Sequence, residues 1–117
     1  MNKIKKIFRL AADVAMLGDC KGSNRKYKIG AVGIRSDGVI VCASNVSTRR
    51  PFPEAHAEHR LCKKLTTNSI VFVVRIDAEG NYRLAKPCAT CLARLKIVKT
   101  RKVYYTINNF EYGVIEF

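Results

Sequence analysis

His56 and Glu58 stand two residues apart in Pro53-Glu54-Ala55-His56-Ala57-Glu58, and Cys88 and Cys91 stand three apart in Lys86-Pro87-Cys88-Ala89-Thr90-Cys91. Imidazole and thiolate are both zinc ligands, and a Cys-x-x-Cys spacing lets both sulfurs reach one ion. His56, Cys88 and Cys91 make three protein ligands, which leaves a fourth position for water, the arrangement of a catalytic rather than a structural zinc. Water held there has its pKa brought down towards neutrality and becomes a hydroxide nucleophile. Such chemistry needs a proton carrier, and Glu58 stands beside the first ligand for that role. Pro53 and Pro87 are read as first-turn prolines of two helices, whose N-termini favour thiolate at Cys88 and Cys91.

Other readings of the same residues stand beside this one. A Cys-x-x-Cys by itself also suits a structural zinc knuckle or a redox pair. His59, three residues after His56, could close a structural Cys₂His₂ site. That reading leaves Glu58 and Pro87 without a role.

His-Ala-Glu followed by Pro-Cys-x-x-Cys resembles the zinc-dependent cytidine and deoxycytidylate deaminase superfamily. The resemblance covers roughly residues 28 to 117 and is carried by the two motifs together. It implies Zn²⁺ on His56, Cys88 and Cys91, with Glu58 as the catalytic proton shuttle. It also implies a base-carbonyl contact from the Ala57 backbone N–H and a sugar contact from Asn45. Pro87, Tyr27, Arg49, Phe52 and Tyr105 complete the candidate substrate contacts. The fold it implies is a three-layer α/β/α domain around a five-stranded mixed sheet, spanning residues 1–117 as a single unit. Within the superfamily, antiparallel last strands resemble free-nucleoside deaminases and bacterial deaminase toxins rather than polynucleotide cytosine deaminases, whereas free cytidine deaminases usually carry Cys where this chain has His56. The resemblance therefore falls between subgroups, closest to the toxin-like pattern.

Charge narrows the partner. The 117 residues hold 22 Lys and Arg against 9 Asp and Glu, for a formal net charge of +13. Eleven basic residues fall in 1–50 and eleven in 51–117, so no detachable tail carries the excess. A polyanion fits that balance, with single-stranded nucleic acid favoured and DNA before RNA. A pyrimidine nucleotide or nucleoside is the other substrate class, and a zinc-stabilised nucleic-acid-binding module without catalysis is the reading from another class. Lys21, Arg25, Lys26 and Tyr27 mix charge with a ring, as a single-strand binder does. An ordinary solvated loop has the same composition.

Five Cys are present, and beyond the motif Cys20, Cys42 and Cys62 read as free thiols, the last two as small buried packing residues. Arg9 and Asp13 interrupt the apolar start, so no signal peptide is read, and no stretch is apolar enough to span a membrane. The expected setting is cytoplasmic and reducing. The sequence leaves room for a homo-oligomer.

The elements that must position the motifs follow from periodicity. Residues 3–17 place Ile4, Ile7, Phe8, Ala11, Val14, Ala15 and Leu17 at helical spacing, and Gly18 stops the run. Residues 28–35 and 39–45 read as a hairpin across Ser36-Asp37-Gly38. A helix over 54–65 carries the first motif, a fully buried strand spans 70–76, and a helix over 88–98 carries the second. Strands at 103–107 and 112–117 are separated by about four residues. A parallel crossover needs roughly a dozen or more, so these two strands should be antiparallel.

Overall fold

The computed structural model describes residues 3–17, 28–44 and 57–117. The order is α1 (Lys3–Leu17), β1 (Lys28–Ile34), β2 (Ile40–Ser44), α2 (Ala57–Cys62), β3 (Ile70–Ile76), β4 (Tyr82–Arg83), α3 (Ala89–Ile97), β5 (Lys102–Thr106) and β6 (Tyr112–Glu116). The sheet runs β2-β1-β3-β5-β6. β3 pairs antiparallel with β1 and parallel with β5, and β5 and β6 form the expected antiparallel hairpin. The five-stranded path is the one expected; β4 adds a sixth strand of two residues, paired to the end of β3. Asp77 forms it: its Oδ1 accepts from the Asn81 N–H and its Oδ2 from Arg83 Nε at 2.8 Å.

Alternation along β3 divides the core. Val71 and Val73 face one side with Ala31 and Val103, under Leu61 of α2 and Leu95 of α3. Phe72, Val74 and Ile76 face the other, under Phe8, Ala11 and Ala15 of α1. Helices thus cover both faces, as the unbroken apolar run of β3 requires. The first helix comes very near the sheet, because a Cβ on Gly30 would overlap the Ala11 carbonyl and meet Ala15 backbone. On the α1 side the packing is aromatic. Phe8 meets Phe72 edge-on at 5.6 Å, and Phe72 stacks on Tyr104 at 4.8 Å and 7°.

The β1–β2 turn follows the Asp-Gly signal. Gly38 has φ +87°, Arg35 N–H donates to the Val39 carbonyl, and Val39 N–H donates to Asp37 Oδ1. One cysteine departs from expectation. Cys42 is exposed, because β2 is an edge strand whose Val41 and Ala43 side is the one packed in the core. Cys62 packs against the α2 and α3 side of the core but is half-buried rather than buried. Among the described residues, no helix is long and apolar enough to cross a membrane.

Candidate active site

The two motifs meet where α2 and α3 begin, on the same face of the sheet. Ala57 is fully buried at the start of α2, and Glu58 follows in its first turn, only 5% exposed. A carboxylate that deep in a core calls for a partner of opposite charge or strong hydrogen-bond donors. Arg60, on the same helix, ties α2 to the edge strand by donating to the Ser44 carbonyl at 2.8 Å.

The second motif arrives through a tethered approach. Ala85 N–H donates to the Thr106 carbonyl at 2.8 Å, and Thr106 Oγ1 donates to the Arg83 carbonyl at 2.8 Å. Thr106 is 1% exposed, so both bonds are shielded from water. They hold residues 83–85 against the end of β5, and the chain goes on through buried Pro87 to Cys88. Cys88 is the N-cap of α3, with φ −68° and ψ 167°, and its side chain makes no capping bond. Pro87 therefore lies one residue outside the N-cap rather than in the first turn. There its fixed φ stiffens the entry to the helix. Cys91, one turn on, is fully buried.

Cys88, Cys91 and Glu58 come together. Burial first, and the Glu58 charge second, push the Cys91 thiol far above its usual range, against the thiolate expected at this helix start, and Cys88 pushes the same way. Burial, then Glu58, also raises Cys62 to about 11, while Arg94 acts the other way. Two thiols and a carboxylate this close repel one another once ionised. A divalent cation reverses that preference and takes both sulfurs as thiolates. The donor set fits zinc on these grounds. Among the described residues, no group of three or more His, Cys, Asp and Glu side chains is placed to hold a metal ion. The third expected ligand, His56, lies outside the described residues, as do Asn45, Tyr27, Arg49, Phe52 and Pro53.

Of the other expected contacts, Tyr105 packs half-buried on the same side of the sheet as Ala57 and Ala85. Its ring lies across the cross-strand residue Gly113, where a Cβ would overlap it. Thr106 and Gly113 are the positioning residues that sequence reading missed. A threonine in a β-branched strand carries no sign that its oxygen anchors another segment, and Gly113 looks like any strand glycine.

The family model described as the cytidine and deoxycytidylate deaminase zinc-binding region matches residues 1–107. No curated protein sequence matches the chain. A cytidine deaminase structure from Burkholderia pseudomallei superposes with a TM-score of 0.70 at 17% identity, covering 99% of this chain and 93% of that one. One from Mycobacterium leprae gives 0.63 at 15% identity, over 97% of this chain and 94% of that one. One from Mycobacterium tuberculosis gives 0.60 at 16% identity, over 91% and 85%.

Proposed function

This chain belongs to the zinc-binding cytidine and deoxycytidylate deaminase family, and we propose that it is a single domain over residues 1–117 that converts cytosine to uracil by hydrolysis. The observation that carries this is the meeting of buried Glu58 with Cys88 and Cys91 at the starts of two helices. His56, Cys88 and Cys91 hold the zinc. When bound, it supplies the Lewis acidity that makes water nucleophilic near neutral pH. The Glu58 carboxylate takes the proton of the attacking water and hands it to the departing amine, so cytosine and water give uracil and ammonia. Burial keeps that proton from exchanging with bulk solvent. Ala57 and Pro87, both buried beside the motifs, and half-buried Tyr105 wall the base.

Single-stranded nucleic acid is the favoured substrate, DNA before RNA, on the strength of the +13 charge. Exposed Lys5, Arg9, Lys63 and Lys96 stand in no ion pair among the described residues, so their charge is open to a polyanion. Free cytidine, CMP or dCMP is the second reading. It is supported by the near end-to-end match to proteins described as cytidine deaminases.

Deamination by the zinc-loaded chain decides between them, assayed on single-stranded DNA and RNA, a duplex, cytidine, CMP and dCMP. Conversion in single strands alone supports the first reading, and conversion of monomers alone removes it. Glu58→Gln should lower turnover about 10²–10⁴-fold with zinc retained. Zinc binding without conversion of any of these substrates by the unaltered chain would turn the reading to adenine first and to a zinc-stabilised binding module second.

A further inference from the structure

A cavity of about 400 Å³ opens on the α1 side of the sheet, the face opposite Glu58 and Cys91. That volume is in the range of small-molecule sites. Its cationic wall is Lys5 and Arg9, one helical turn apart on α1 and both exposed. Its aromatic wall is Tyr82 and Tyr112 over buried Phe8, with Phe110 at the rim. No ion pair among the described residues engages Lys5 or Arg9.

Phe110 is 88% exposed, an unusual position for a large apolar ring, and the turn that carries it is held from several directions. Asn108 Oδ1 accepts from the N–H groups of Phe110 and Glu111 at 2.8 and 2.9 Å. Asn109 Oδ1 accepts from the Tyr82 N–H at 2.7 Å, and its Nδ2 donates to Asn81 Oδ1 at 3.1 Å, which pins the turn to β4. A ring presented on a fixed turn is a stacking platform with little ordering left to do on binding. Two opposing charges lie near. Glu111 lines the cavity with its Oε1 held by Asn108 Nδ2 at 3.2 Å. Burial raises the Tyr82 phenol, Arg9 lowers it, and Asp13, one turn past Arg9, opposes Arg9 there. The lining itself, Lys5 and Arg9 against Glu111, carries a net +1.

We propose that this cavity is a second, non-catalytic site for one nucleotide, with the phosphate on Lys5 and Arg9 and the base stacked on Phe110. The nucleotide is either free or one unit of a single strand. The site does not depend on the deaminase reading, because neither Glu58 nor the cysteines line it.

The test is fluorescence anisotropy of the zinc-loaded full chain with labelled oligothymidylate, which holds no cytosine, competed with dTMP or inorganic phosphate. Lys5→Gln with Arg9→Gln should weaken binding about tenfold and flatten the log–log salt slope by about 0.7 for each phosphate left without its cation. Phe110→Ala should weaken it about fivefold or more. A charge-matched control, Lys63→Gln with Lys96→Gln, removes two exposed cations elsewhere and should cost much less. Displacement by dTMP identifies the free nucleotide as sufficient; weaker binding in the variants without displacement by dTMP identifies the strand. Binding equal to the unaltered chain in both cavity variants, or a weakening matched by the control, overturns the proposal. So does a Phe110→Ala variant that changes only the oligomeric state, which would make the ring part of an interface between copies.

Discussion

The two faces of β3 are built for different work. On one, valines and alanines keep side chains short, and the first turns of α2 and α3 reach far enough in to bury Glu58 and Cys91 against the sheet. On the other, Phe8, Phe72 and Tyr104 pack ring on ring under a single helix that lies close on the sheet at Gly30, and the charged groups stand at the rim. One face buries its ionisable groups, Glu58 and Cys91, and the other leaves Lys5 and Arg9 in contact with water.

Removing zinc should break the comparison most visibly. Chelation should abolish deamination and loosen the starts of α2 and α3 in hydrogen exchange, while amides of α1 and β1 keep their protection. Equal loosening on both faces would show that the metal holds the whole sheet rather than one side of it. Large-to-small core changes should come next. Phe8→Ala should cost about 3–5 kcal/mol and Leu95→Ala about 2–5 kcal/mol in denaturant unfolding. Only Leu95→Ala, on the side of α3, should also weaken zinc binding measured by competition with a chelating dye. Thr106→Val removes the oxygen that holds Arg83 and should cost about 1–3 kcal/mol. Zinc affinity should fall with it, and Thr106→Ser should restore both. Equal zinc affinity in the Val variant would show that the 83–85 tether does not reach Cys88.

The smallest effect is a pH dependence. The folded chain holds Cys62 protonated up to about 11, while the unfolded thiol ionises near 9. Between those values the unfolded state has given up a proton that the folded state retains, so stability falls as pH rises through that window. Below it, both states are protonated and the group contributes no slope. Cys62→Ala should make the chain less sensitive to alkali over that interval, and an unchanged slope would show that the thiol is not shielded.

Much of the molecule was legible in the sequence because it is local. The spacing in α1 predicts its buried stripe of Phe8, Ala11 and Ala15, and the apolar run at 70–76 predicts a strand covered twice. Glu58 and the Cys88–Cys91 pair stand thirty residues apart, so no local pattern joins them; only the resemblance carried by the two motifs together places them in one site. What was not legible depends on partners far away in the chain. Cys42 looks like core until β2 proves to be an edge. Thr106 looks like strand filler until it meets Arg83. β4 is too short to show any periodicity, and the aromatic cavity exists only once residues 5–9 and 108–112 have come together.

The order of strands also sets an order in time. The β1–β2 and β5–β6 pairs join neighbours in the chain, and hairpins of that kind form within about microseconds. The pairings of β3 with β1 and with β5 are the distant ones, and the segments that must be looped out to make them contain α2 and α3. Distant pairings close late. The helices that carry Glu58, Cys88 and Cys91 therefore take their places only as the middle of the sheet zips shut. Glu58 and the two cysteines thus meet only in a chain whose central strands have paired.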